Sequence, residues 1–192
     1  DRSPSRGLGD VYKRQSLGNE LMHPCNVNAA LSSMTVLVDT REQDTPSARR
    51  RMKQIGVPIE RVALSFGDYS TKCNVIDLRD QVAIERKMDL DELCACYGRD
   101  RSRFTREFER AKESGAKLYM LVENADWEKA YKGDYRSRMS SASLVASMQA
   151  WLARYNCQIL FCASQTSGRL IHDTLFRELK ERLEAIPDED CG

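Results

Sequence analysis

Gly67-Asp68-Tyr69, then a spacer, then Glu85-Arg86-Lys87 and, after Met88-Asp89-Leu90, Asp91 make up the stretch from which the fold is read. The apolar run Val82-Ala83-Ile84 ahead of Glu85 has the character of a buried strand. Residues two apart on a strand point to the same side, so Glu85 and Lys87 share a face and Arg86 points away. Asp68 is expected at the end of an earlier alternating strand through Val62, Leu64 and Phe66, with Gly67 permitting a sharp exit. Two carboxylates and a lysine at adjacent strand ends make an oxygen-ligand site suited to Mg²⁺ or Mn²⁺, and the lysine can steady an attacking water or a phosphate. Either piece alone is explained as well by solvated strand residues and a turn. Together they point to metal-dependent phosphodiester chemistry.

Outward from this stretch, residues 70 to 80 read as a short hairpin excursion. Asp89 is placed as the N-cap of a helix with Glu92 as its third residue, a capping-box variant. Asp91 lies in that first turn, where it either complements the helix dipole or orients Arg86 or another active-site cation. From Gly98 to Lys117 the chain is at its most basic: Arg99, Arg103, Arg106 and Arg110 recur at three or four, while Phe104 and Phe108 take another face. That geometry suits a helix laid along a phosphate backbone, and pairing of Arg103 with Glu107 is the plainer account. Upstream, Thr45-Pro46 starts a helix that Gly56 ends, and its Arg49, Arg50, Arg51 and Lys53 are read as a solvated face rather than as phosphate ligands.

Val38-Asp39-Thr40-Arg41-Glu42, Gly67-Asp68-Tyr69, and Glu85-Arg86-Lys87 with Asp91, in that order, resemble the nuclease domain of the XPF family of structure-specific endonucleases, over roughly residues 35 to 183. The later part is especially similar to free-standing copies found in bacteria and their prophages. The resemblance implies an α/β, restriction-endonuclease-like fold in which a mixed central β-sheet is flanked by α-helices. It implies that Asp39 joins Asp68 and Glu85 as a metal ligand, that Glu42 is a ligand or supports one, and that Arg41 orders these carboxylates through a forked pair. Asp68, Glu85 and Lys87 are then the catalytic set, with Mg²⁺ or Mn²⁺ as cofactor. Arg103 best matches an arginine that approaches the active site in the family, with Arg99 as its competitor. Tyr135, Arg136 and Arg138 form a basic loop before a helix starting near Ser140 or Ser141, and join Arg99, Arg103 and Arg106 as expected DNA contacts. The expected reaction is hydrolysis of DNA, with a preference for branched, flap or fork structures. The alternatives are a catalytically idle DNA-binding or scaffold subunit, and an exonuclease or generic restriction-like enzyme.

With 192 residues and 41% apolar content, one domain with a full core is the natural reading. A net charge of +1 confines any nucleic-acid contact to a local patch. No window approaches about 18 consecutive apolar residues, and no apolar signal core opens the chain, so a soluble, cytoplasmic protein of a bacterial or phage-infected cell is expected, without membrane contact. Seven cysteines without a Cys-x-x-Cys pair, and two scattered histidines, indicate no disulfide framework, zinc site or histidine chemistry. Residues 1 to 33 show no sustained period and are expected to be a disordered or artefactual tail, with Met34 a natural start; 34 to 186 form the nuclease domain and 187 to 192 an acidic tail. The apolar stripes of helices at 141 to 155 and 169 to 183 cover the sheet and are long enough to form part of a twofold interface. The short acidic remainder after Leu183 leaves no room for a second DNA-binding module, so a homodimer or a helicase-like partner is expected to supply the missing grip.

Overall fold

Lys117–Glu123 is apolar at almost every position because it is buried on both faces: Leu118, Met120 and Val122 meet one helical layer, Tyr119 and Leu121 the other. This is β5 of a computed structural model that describes residues 26–186. The other strands are β1 (Thr35–Asp39), β2 (Ile59–Val62), β3 (Tyr69–Lys72), β4 (Val82–Lys87) and β6 (Cys157–Cys162), and the sheet order is β2-β1-β3-β4-β5-β6. Only β3 runs against its neighbours, so the sheet is mixed. The reversal has a functional consequence. The start of β3 lies at the same edge of the sheet as the carboxyl ends of β1, β4 and β5, where ligands of open α/β sheets are bound.

The helices are α1 (Val27–Ser32), α2 (Pro46–Ile55), α3 (Leu90–Tyr97), α4 (Arg101–Glu113), α5 (Trp127–Lys132), α6 (Ser141–Arg154) and α7 (Ser167–Glu184). On one face α3, α4 and α6 contribute Tyr97, Phe104, Phe108 and Trp151, whose rings pack at centroid distances between 4.8 and 6.2 Å. On the other, Ile171, Leu175, Leu179 and Leu183 of α7 cover Val36, Val38, Ile84 and Leu121. Local signals set the ends. Thr45 accepts from the Ala48 N–H and Gly56 closes α2 in the left-handed region at φ 72°. Asp89 accepts from the Glu92 N–H, while the Glu92 carboxylate reaches back to the Met88 N–H.

Two expectations need correction. The strand expected through Val62, Leu64 and Phe66 stops at Val62. Because β2 and β3 flank β1 on opposite sides, the chain must leave the sheet and cross the end of β1. Leu64 and Phe66 are buried outside any strand, and Asp68 immediately precedes β3. The expected tail also extends too far along the chain. Asn26 caps α1, and Ala30 and Leu31 are buried against the α7 layer with Met34. A helix this short carries no readable period and owes its stability to tertiary contact. Removing residues 1 to 33 is therefore expected to lower stability by at least about 2 kcal/mol, the lower end for loss of one buried leucine side chain. For a domain of this size that is about 4–8 °C in Tm; an unchanged calorimetric Tm would return α1 to the tail. The remaining expectations for 1 to 25, Cys25 among them, and for 187 to 192 lie outside the described residues. Among the described residues the five cysteines are free, and no helix is long and apolar enough to cross a membrane.

Candidate active site

Glu85 and Lys87 share the face of β4 that looks toward α4, as their spacing requires, and both are almost fully buried, 5% and 6% exposed. The Lys87 ammonium is hydrogen-bonded to Glu85 Oε1 and stands 5.3 Å from the centroid of the Phe104 ring. Burial would deprotonate Lys87, but Glu85, then Cys96 and Asp68, raise it instead and keep it a cation. Burial in turn pushes the Glu85 carboxyl up, with Lys87 opposing. Asp68, half-buried beside them, is pushed up to about 8 by burial and then by the charge of Glu85.

The turn that delivers Asp68 is tightly specified. Its N–H donates to the Ile84 carbonyl at 2.8 Å, its carbonyl accepts from Asp39 N–H at 2.9 Å, and its carboxylate accepts from the Arg86 N–H at 2.8 Å. Gly67 sits at φ 71°, and a Cβ there would meet the Ala83 Cβ at 2.6 Å. Glu107 of α4 accepts from the Gly67 N–H at 2.9 Å, so it braces this turn instead of pairing with Arg103.

Asp39 is placed differently from expectation. It is 1% exposed, and both its oxygens are taken: Arg41 Nε at 2.6 Å and Nη2 at 3.2 Å, the Arg41 N–H at 2.8 Å and the Leu64 N–H at 2.8 Å. Burial opposes its charge, but these donors hold it below the ordinary carboxylate range. Asp39 thus ties the crossing segment to β1, and the forked pair expected for Arg41 forms here. The cleft itself, about 470 Å³, is walled by Arg41, Glu42, Asp68, Glu85, Lys87 and Arg103. Arg103 stands exposed at its rim; Arg106 is exposed on α4 but does not line it. Arg99, Tyr135, Arg136 and Arg138 lie beyond the cleft. Asp91 does not reach Arg86; it binds the loop at Arg136 and Ser137.

Arg51 corrects the solvated-face reading of α2. It is 3% exposed and donates to Glu42 Oε1 at 2.8 Å, Glu123 Oε1 at 2.9 Å and the Tyr69 hydroxyl at 2.9 Å. Tyr69 donates in turn to Glu42 at 3.0 Å, and Arg86 pairs with Glu123 at 3.3 Å. Glu42 is therefore held at the cleft from behind. Close approach of α7 keeps α2 in place, since a Cβ at Gly168 would stand 2.3 Å from the Arg51 carbonyl oxygen. A signal was present: Ala48, Arg51 and Ile55 follow one another at three and four, which puts Arg51 on the buried stripe. Glu123, at the carboxyl end of a central strand, is another residue that sequence reasoning passed over.

Among the described residues no three His, Cys, Asp or Glu side chains are clustered as a ready metal cage, and Asp39, Asp68 and Glu85 do not converge. Asp68 and Glu85 nevertheless fit a divalent cation in their chemistry. Glu85 Oε2 is buried without a hydrogen-bond partner, and the charge of Glu85 raises the proton affinity of Asp68 beside it, a conflict that a bound cation relieves.

A mixed sheet flanked by helices, with an acidic pair and a lysine converging where β3 starts and β4 ends, defines an α/β protein with a polar catalytic-type cleft. The ERCC4 domain model matches residues 38–174, and the chain belongs to this family, the XPF-family nucleases. Its fold is similar to that of XPF from Aeropyrum pernix, with a TM-score of 0.55 at 22% sequence identity, covering 81% of this chain and 64% of that one, less than two thirds of its length. No curated protein matches in sequence.

Proposed function

We propose that this protein is a divalent-metal-dependent DNA endonuclease that prefers branched, flap or fork DNA and acts in the cytoplasm in repair, recombination or mobile-element processing. The observation that carries the reading is the buried, unpartnered Glu85 Oε2 beside Asp68 and a charged Lys87 in one cleft of an ERCC4 domain. Asp68 and Glu85 would hold Mg²⁺ or Mn²⁺, with Glu42, which lines the same cleft, available beside them. When bound, such an ion lowers the pKa of a coordinated water and balances charge on the leaving oxygen. Lys87 is kept as a cation and so serves as a hydrogen-bond donor to the attacking water or the phosphate, not as a proton acceptor. Asp39 supports the cleft through Arg41 and the Leu64 backbone rather than contributing a ligand in this arrangement. Arg103 at the rim faces incoming phosphate. A homodimer or a helicase-like partner would add grip and structure selectivity.

Labelled linear, splayed and flap duplexes incubated with Mg²⁺ or EDTA test the reading. Cleavage within the branched substrates that EDTA abolishes is expected. Binding without cleavage in any divalent ion would identify an idle DNA-binding subunit, and progressive digestion from ends an exonuclease.

A further inference from the structure

Asp91 does something that neither helix capping nor catalysis requires. Its carboxylate accepts from the backbone N–H groups of Arg136 at 2.8 Å and Ser137 at 2.6 Å, and from Arg136 Nε at 3.2 Å. Through it, α3 fixes the loop that leads into α6, and the Tyr135 hydroxyl tightens the same loop by donating to the Met139 carbonyl at 3.0 Å. The charge on this side of the molecule is arranged unequally. The four acids around the depression next to the cleft have internal partners: Asp89 caps α3, Glu92 holds the Met88 N–H, Asp91 holds the loop, and Asp100 lies 3.4 Å from Arg99. Arg103 and Arg138 make no ion pair among the described residues, and the side chains of Arg99 and Arg136 are 82% and 86% exposed. These arginines also follow a path. A depression lined by Lys87, Arg103, Arg99 and Arg136 together with these four acids shares walls with the catalytic cleft and with an open groove that carries Arg99 just past the end of α3 and Arg136 and Arg138 on the loop.

We propose that this groove carries the phosphodiester backbone of the DNA strand as it leaves the cleft, and that Asp91 is the positioning residue that sets the groove's far wall. The inference rests on the nuclease reading above and extends it to nucleotides away from the scissile bond. A polyanion matches the groove because its three arginines outnumber its one acid, Asp91, and guanidinium forks suit phosphate oxygens. The charge of Asp91 is offset by Arg136 and by the loop's two N–H groups, which leaves Arg99 and Arg138 to face the phosphates.

The test is a binding titration of the full chain in EDTA, by anisotropy of labelled flap and single-stranded DNA, at several salt concentrations. Arg99→Gln/Arg138→Gln changes only exposed side chains. It is expected to weaken binding severalfold and to reduce the log-log salt slope by about 1.4–1.8, two contacts at about 0.7 each on a single strand or 0.9 on a duplex. Asp91→Ala leaves every arginine in place yet releases the loop, so it should also weaken binding, while Asp91→Asn, which keeps an acceptor for the backbone, recovers most of it. Wild-type affinity and slope in the double arginine variant would overturn the proposal, as would wild-type binding by Asp91→Ala. A wild-type protein that shows this groove dependence but cleaves nothing in Mg²⁺ would sink the nuclease reading and leave the groove standing.

Discussion

Asp68→Asn or Glu85→Gln should abolish Mg²⁺-dependent cleavage, by about 10²–10³-fold or more, the scale on which an electrostatic site loses activity when one of its groups is removed. Stability should respond in a way that marks both residues as functional. Asp68 is raised above its unfolded value by burial and by Glu85. Its contribution to stability is therefore full below the ordinary carboxylate range and is lost as pH rises toward about 8. Asparagine removes the cost of an ionised group there, so the Asp68→Asn protein should melt at or above the wild-type temperature at neutral pH. Glutamine at 85 still offers an acceptor to Lys87 but gives up the charge that keeps it company, so a small loss is expected. Cleavage of a labelled flap duplex, beside calorimetry at pH 7, reads both effects. Near wild-type cleavage by either variant would mean that the site is elsewhere.

Arg51→Leu is expected to be the most damaging single change away from the cleft. It strips the guanidinium from Glu123 and Glu42 and leaves both carboxylates without their principal cation, Glu123 at 2% exposure. Breaking a buried pair from one side costs about 3–5 kcal/mol. In a domain of this size each kcal/mol moves Tm by about 2–4 °C, so a fall of about 6–20 °C follows. The neighbouring Arg49→Gln is the control. Its pair with Asp44 is solvent-exposed on both sides, so it should stay within about 0.5 kcal/mol of wild type. Denaturant melts of the two variants decide the matter, and equal stabilities would return Arg51 to the surface. At temperatures where Arg51→Leu remains folded, its cleavage should still be impaired, because Glu42 has lost the group that holds it against the cleft.

The sequence by itself determined which residues face the chemistry. Strand alternation at Val82–Lys87 put Glu85 and Lys87 on one side and Arg86 on the other, and the structure keeps that division. Caps at Thr45 and Asp89 and the doubly apolar Lys117–Glu123 were equally legible, because such signals depend only on neighbours along the chain. Tertiary structure decided what those residues touch. The start of β3 reaches the cleft because β3 is inserted antiparallel between β1 and β4, a matter of strand order that no local pattern encodes. Asp39 turns to the Leu64 N–H because the segment crossing the end of β1 presents there a donor that burial leaves no water to satisfy, and the exposed Arg41 closes over the same carboxylate. Arg51 became a buried hub, and Asp91 a clasp on a loop 45 residues away, for the same reason. A charged side chain reads as solvated until the packing of distant elements removes its water, and only then is its partner chosen.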